Sequence, residues 1–356
     1  MLAVQIVSPG RVDVIEKAMP RIQNEDEVLI KVQMVGVCGS DMHIYHGQSP
    51  VATYPRIIGH EMVGEVVEIG PNVNQLVPGD KVVMEPIQWC GACYACQSGR
   101  RNVCVHLQVY GVHRDGAYQE YMVLPERIVH KVDRRLAWHE AVLVEPFTIG
   151  AQANWRGEVR AGDTVFILGA GPIGLCALQV AKMTGATCIV SDLSDAKLAY
   201  ACSLGADHLL NPGKVDVEAE IQEITDGLGP NVTIDAACTV HTFEQAVRVT
   251  SVAGRVVVLG LTAAPSQIAQ LDITKKELTV VGSRLQTDKF PTVIEWFNTG
   301  RIKADTFATH RFPIEEIERA FAFIESHPNE IRKVLLEIGC SMRKGSVDGH
   351  GIPLTR

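Results

Sequence analysis

Val165-Phe166-Ile167-Leu168-Gly169-Ala170-Gly171-Pro172-Ile173-Gly174 is a short apolar run that breaks into three spaced glycines and then continues as a second apolar stretch. The run predicts a buried strand and the stretch a helix, with Pro172 suited to its first turn. In that setting Gly169 turns the chain, Gly171 lets the backbone reach a pyrophosphate, and Gly174 lets helix and strand approach closely. The helix N-terminus supplies unpaired N–H groups to the anion. Asp192 ends the next strand, 18 residues beyond Gly174. There it can accept hydrogen bonds from an adenosine ribose and would repel a 2′-phosphate, at about 4 kcal/mol per charge pair at about 4 Å and intermediate dielectric. Glycines alone are a weak signal and an aspartate can simply cap a loop; strand, turn, helix and acid together make the pattern specific for a dinucleotide, NAD rather than NADP.

Outward from this stretch, apolar runs at residues 188–191, 232–236, 256–259 and 278–281 alternate with helical patterns. That alternation predicts an α/β doubly wound parallel sheet. Gly185 and Gly205 follow the last periodic residues of two of the helices as C-terminal caps. Residues 1 to about 130 differ: short alternating strands, such as 27–34 and 62–68, are punctuated by Pro71-Asn72 and Pro78-Gly79 and read as mainly β. Beyond residue 284, amphipathic pieces at 290–297 and 314–326 and a strand at 334–338 lie outside the parallel sheet, and we expect them to return to the first region. The domains are therefore placed at 1–150 with 285–342, and at 151–284, followed by a patternless polar tail, 343–356.

A chain of 356 residues exceeds the usual size of one core, which also favours two domains. With 46% hydrophobic and 21% charged residues it is neither disordered nor a coiled coil. A net charge of −8 without a Lys/Arg run gives no footprint for nucleic acid or an anionic membrane, so a small-molecule partner is favoured. The uncharged stretch 164–181 is marginal for a bilayer and interrupted by glycines. The N-terminus lacks the features of a secretory signal, and a cytoplasmic location is expected.

Cys90-x-x-Cys93-x-x-Cys96-x7-Cys104 places four of the ten cysteines in one loop. Four thiolates complete a closed tetrahedral zinc site, which would be structural. Disulfides are disfavoured in a reducing compartment, and an iron–sulfur cluster is the alternative that uses the same donors. Cys176, Cys188, Cys202, Cys238 and Cys340 stand singly and read as core packing.

A second constellation is dispersed: Cys38-Gly-Ser40-Asp41-Met-His43, Gly59-His60-Glu61 and Val144-Glu145-Pro146. In this order, with the four-cysteine loop between the second and third, these phrases resemble the zinc-containing medium-chain alcohol dehydrogenase family over residues 1 to about 340. Within it, Tyr54-Pro-Arg-Ile-Ile-Gly-His60, Gly111-Val-His113-Arg-Asp-Gly116, Ile234-Asp-Ala-Ala-Cys238 and Ser283-Arg284-Leu285 are similar to polyol and threonine dehydrogenases, and more so to the bacterial starvation-sensing zinc dehydrogenase and the L-galactonate and L-gulonate 5-dehydrogenases. The resemblance implies a Rossmann domain joined to a mainly β GroES-like catalytic domain, two zinc ions per chain, NAD, and a homo-oligomer, dimeric or tetrameric.

By position, the resemblance makes Cys38 and His60 ligands of a catalytic zinc, and Glu61 and Glu145 the two carboxylates between which the family varies. Classical members have cysteine where Glu145 stands, and sorbitol-type members use the glutamate of the Gly-His-Glu phrase, so either can be the third ligand. Asp41 would orient the His60 ring. Cofactor contacts are assigned to Gly169, Gly171, Pro172, Ile173, Gly174 and Asp192, with Gly260 and Ser283 as further candidates.

The implied reaction is reversible oxidation of a secondary alcohol, with zinc polarising its oxygen and hydride passing to NAD. Ser40 would take the alcohol proton and His43 pass it outward, although a turn serine and a surface histidine would look alike in sequence. Arg284 would hold the substrate, a sugar acid of the L-gulonate or L-galactonate type; a polyol or threonine is the alternative. A non-catalytic NAD(H)-responsive sensor would need no proton relay, and a zinc-free quinone reductase would need neither cysteine set.

Overall fold

A computed structural model describes residues 1–339 and the backbone of Ile352–Pro353. The chain forms two compact units, Met1–Glu145 with Phe290–Arg356, and Pro146–Lys289.

In the first unit, Leu2–Ser8 (β1) and Arg11–Glu16 (β2) form a hairpin. Glu27–Val37 (β3) leads into the short helix Gly39–Tyr45 (α1), and Glu61–Ile69 (β4) and Lys81–Met84 (β5) follow. Ile87–Gln88 (β6) and Gln108–Val109 (β7) pair at the base of the cysteine loop, which carries the helix Tyr94–Gln97 (α2). Tyr121–Pro125 (β8), Val129–Lys131 (β9) and Trp138–Ala141 (α3) come before Val144–Arg156 (α4), along which the chain passes into the second unit.

The second unit is built from Thr164–Leu168 (β10), Pro172–Thr184 (α5), Thr187–Ser191 (β11), Asp195–Ser203 (α6), His208–Leu210 (β12), Val217–Ile224 (α7), Val232–Asp235 (β13), Val240–Val249 (α8), Arg255–Val258 (β14), Gln270–Thr274 (α9) and Thr279–Gly282 (β15). Its six strands run parallel in the order β12-β11-β10-β13-β14-β15. The order reverses beside β10, which opens a crevice at the strands' carboxyl ends, where such sheets bind ligands. Phe166, Ile189, Ile221 and Val256 fill the space between sheet and helices. Gly185 takes a left-handed φ of 89° at the end of α5, which is why a β-carbon is absent there.

The chain then returns to the first unit through Phe290–Asn298 (α10), Ala308–Pro313 (β16), Ile317–Ser326 (α11) and Lys333–Glu337 (β17). β17 pairs antiparallel with β3, so the last part of the chain joins the first sheet. The sheet order is β18-β16-β17-β3-β4-β5-β9, with β8 also on β3 and Ile352–Pro353 as β18. β3 is buried along most of its length, and Ile30, Val32, Met62, Leu124, Phe312 and Leu336 belong to its core.

Three readings are corrected. Strand β12 was not anticipated: three residues at the sheet edge, two of them exposed, carry too little apolar pattern to show. Cys202 is exposed and Cys238 half-buried, whereas Cys176 and Cys188 are buried as expected. Cys340 and the tail lie outside the described residues, apart from Ile352–Pro353, whose backbone pairs with β16 rather than lacking structure.

Candidate active site and metal centres

The glycine-rich turn in the second unit leaves room where a pyrophosphate needs it. Gly169 has a φ of 97°, and a β-carbon on Gly174 would lie 1.9 Å from Gly169 O. Gly169 therefore excludes a side chain by conformation and Gly174 by packing. A β-carbon on Gly171, by contrast, would meet nothing within 4 Å, so this N-cap of α5 presents its backbone to open space. Pro172 begins the helix and Ile173 follows half-buried.

Asp192 Oδ2 accepts from Ala170 N–H at 2.8 Å and Oδ1 from Ser194 N–H at 2.9 Å. The carboxylate thus fixes the turn. At the ends of the neighbouring strands, Ser283 is buried and its Oγ has no hydrogen-bond partner among the described residues, an orphan donor suited to a ligand. Gly260 is half-buried, with its β-carbon position 3.4 Å from Cys238 Cβ.

In the first unit, the four cysteine sulfurs lie within 4.8 Å of one another. The Cys93–Cys96 and Cys90–Cys104 separations are 3.5 Å and Cys93–Cys104 is 3.8 Å. These are far beyond a disulfide bond and close to the edge of about 3.8 Å that a tetrahedron with Zn–S bonds of about 2.3 Å requires. Sulfurs binding separate irons of a cluster would stand farther apart, so the donor set fits one ion. Backbone N–H groups of Cys90 and His106 point at Cys104 Sγ, and that of Cys93 at Cys90 Sγ. Such donors stabilise thiolates: the N–H groups of Cys96 and Val105 hold the Cys93 thiol down at about 6. Loss of hydration and the Cys93 sulfur push Cys96 up to about 12.

The dispersed set is assembled by strand register. Gly36 on β3 pairs with Glu61 on β4, so their side-chain positions share one face of the sheet. Glu61 lies across Gly36, where a β-carbon would fall 2.0 Å from Glu61 Oε2. Cys38 follows the end of β3 and caps α1, and His60 precedes β4. Ligand atoms of Cys38, His60 and Glu61 all lie within 4.8 Å of one another. Glu61 Oε2 is buried without a hydrogen-bond partner among the described residues. A thiolate, an imidazole and a carboxylate in one place, with an unsatisfied acceptor among them, fit a three-ligand zinc site that keeps a position open.

Glu145 is buried nearby but is not in this set. Burial chiefly raises its carboxyl pKa to about 7, with His60 pulling down and Glu61 pushing up. Asp41 is fully buried and takes N–H donors from Cys38 at 2.9 Å and Gly59 at 3.3 Å, with His60 Nδ1 3.6 Å away. Burial alone would lower the His60 pKa, but Asp41 and the Cys38 sulfur carry it well above its ordinary value.

The Alcohol dehydrogenase GroES-like domain matches residues 24–134 and the Zinc-binding dehydrogenase domain residues 172–299. The chain is 39% identical to the starvation-sensing protein RspB of Escherichia coli K12, over 94% of this chain and 99% of that one. It belongs to the zinc-containing medium-chain alcohol dehydrogenase family. A second relative is the L-galactonate-5-dehydrogenase of E. coli K12, 36% identical over 84% of this chain and 88% of that protein. Among solved structures, rspB from E. coli CFT073, complexed with NADH, superposes with a TM-score of 0.90 at 39% identity, covering 95% and 99% of the two chains.

This dehydrogenase carries Ser40 and His43 exposed on α1, three residues apart and so on one side of the helix. Arg284 is exposed two residues after the end of β15. Lys289 stands 4.5 Å over the Trp155 ring, and His113 Nδ1 accepts from Val109 N–H. No helix among the described residues is long and apolar enough to cross a membrane.

Two residues of the site escaped the sequence reading. Tyr118, buried, offers its hydroxyl to Asp41 Oδ2 at 3.4 Å, and burial followed by the Asp41 charge raises its pKa well above normal, so it stays a donor. Lys333, at the head of β17, reaches Glu61 at 2.6 Å. A lysine opening an apolar strand reads in sequence as a solvated strand end; only the pairing of β17 with β3 brings it inside.

Proposed function

We propose that this dehydrogenase oxidises a secondary alcohol of a sugar acid, of the L-gulonate or L-galactonate type, with NAD as acceptor. The observation that carries the substrate class is Arg284, exposed at the carboxyl end of a parallel strand, where doubly wound sheets meet their ligands. The L-galactonate-5-dehydrogenase relative supports it. Lys289 is half-buried against Trp155, whereas Arg284 is exposed.

When bound, zinc supplies Lewis-acid polarisation of the alcohol oxygen and NAD the hydride-accepting ring. Cys38, His60 and Glu61 hold the metal, with Asp41 fixing the ring of His60; Cys90, Cys93, Cys96 and Cys104 hold the second, structural ion. Gly171 and the first turn of α5 cradle the pyrophosphate, and Asp192 selects the unphosphorylated ribose. Ser40 Oγ accepts the hydroxyl proton as it releases its own, and His43, one turn along on α1, passes that proton to water.

NADH formation measured across L-gulonate, L-galactonate, neutral polyols and L-threonine tests this. A charge-assisted hydrogen bond contributes roughly 1.5 to 3 kcal/mol, so Arg284→Ala should lower kcat/KM for the acid about 10- to 150-fold and for a neutral polyol much less. Equal efficiency of the wild type on acid and neutral polyol would overturn the sugar-acid reading.

A further inference from the structure

Glu61 and Lys333 are separated by 272 positions yet form a pair that is almost completely buried, 1% and 3% exposed at the side chain. The register explains how they meet. Leu335 pairs with Gly36, and Gly36 with Glu61, so one row crosses β17, β3 and β4, and Lys333 lies two residues from Leu335 on the same face. Lys333 Nζ donates to Glu61 Oε1 at 2.6 Å and to the carbonyl of Val37, the residue before Cys38, at 3.2 Å. One cation thus braces both the carboxylate and the backbone that carries the thiol. Glu61 Oε1 is engaged by this ammonium, while Oε2 is buried with no hydrogen-bond partner among the described residues, and a Glu61 carboxylate oxygen lies in the cluster with Cys38 and His60.

We propose that Lys333 is the positioning residue that makes Glu61, rather than Glu145, the third ligand of this centre, holding one carboxylate oxygen so that the other alone is offered to the metal. The inference rests on the reading of Cys38, His60 and Glu61 as a metal centre. Its physical basis is twofold. A buried carboxylate needs a compensating charge, and Lys333 supplies it where the Asp41, Glu61 and Glu145 carboxyls and the Cys38 sulfur act on one another and on His60. A side chain fixed at one oxygen also has less freedom to swing away from the metal, which is how partners of metal ligands generally tune affinity. Glu145 also feels the Lys333 charge, but its ligand atom is not within the set that Cys38, His60 and Glu61 form.

The test uses the zinc-loaded full chain. Zinc release to a colorimetric chelator is followed for the wild type, Lys333→Met, Glu61→Gln and the double variant, with the four-cysteine zinc as the internal control. Lys333→Met should weaken zinc at the Cys38 centre by about 10- to 100-fold and leave the second zinc at its wild-type rate. In the Glu61→Gln background the same substitution should add no further loss, because Lys333 acts through Glu61. Cobalt(II) substituted at this centre should show altered visible bands in Lys333→Met. Should that variant not fold, Lys333→Gln keeps a donor for the Val37 carbonyl and removes only the charge, with the same shift expected. Two tightly held zinc ions in Lys333→Met, or an equal loss with and without Glu61, would overturn the role of Lys333 alone. A wild-type chain holding only the four-cysteine zinc would remove the centre itself, and this inference with it.

Discussion

The four sulfurs of the cysteine loop come from fifteen consecutive residues, Cys90 to Cys104, whereas Cys38, His60, Glu61 and Lys333 are drawn from stretches as far as 295 positions apart by the register of β3, β4 and β17. Cys90 is exposed and Cys93 and Cys96 are half-buried, while Glu61, Asp41 and Lys333 are shut away from water. The loop has no apolar core of its own, with Tyr94 and Val105 largely exposed. A short segment with so little burial needs a cross-link for order, so a metal held by its four cysteines would be part of its fold. The dispersed set inverts this: the sheet is already held by its core, and that core can hold ligands, an orphan acceptor and several like charges in place. On this reading metal would supply structure in one region, and structure would supply metal binding in the other.

Disruption of the loop should have the largest effect on stability. Cys93→Ser should unfold the loop and lower the thermal midpoint clearly, because a closed site contributes its binding energy to folding. An unchanged midpoint would break the contrast.

A second, smaller effect concerns how the loop is anchored. Glu85, buried before β6, receives Arg101 of the loop at 3.0 and 3.1 Å and His130 of β9 at 3.1 Å, and Arg101 also lies 4.4 Å over Trp89. Glu85→Ala removes the carboxylate from both partners, at a cost of about 3 kcal/mol, the low end for a broken buried pair because Arg101 and His130 keep 23% and 21% of their side-chain surface in water. Burial would raise the Glu85 pKa, but His130 and Arg101 lower it below 4.5 overall. A depressed carboxylate stabilises the fold above its unfolded pKa, and this contribution is lost as pH falls through the folded value. The stability gap between wild type and Glu85→Ala should therefore be full near neutrality and close below about pH 4; a gap independent of pH would remove the ion pair as its cause.

His43→Ala touches neither metal set and sharpens the comparison from the side of chemistry. Turnover at neutral pH should fall by roughly 10²-fold, with partial rescue by added buffer and no change in thermal midpoint. An unaltered pH profile would make His43 a surface residue of α1.

What could be read before folding follows the same division. The cysteine loop and the glycine-rich turn are local, so spacing alone exposes their donor chemistry, and Gly169, Gly171 and Gly174 each have a distinct steric reason visible in order. Cys38, His60 and Glu61 became legible only through resemblance, since nothing in their spacing says that β3 and β4 pair with Gly36 against Glu61. Tyr118 and Lys333 stayed hidden because their partners are 77 and 272 residues away, and a buried lysine carries no pattern that separates it from a solvated one. Strand β12 was hidden for a different reason, being too short and too exposed to show periodicity.

The most direct test is the zinc content of the purified wild type, Cys38→Ser and Cys93→Ser, measured together with thermal midpoint and NADH formation. Two zinc ions in the wild type are predicted, and one in Cys38→Ser, which should keep its midpoint while activity is lost. One zinc in the wild type, unaffected by Cys38→Ser, would contradict the division of the two centres into a metal that makes structure and a structure that holds metal.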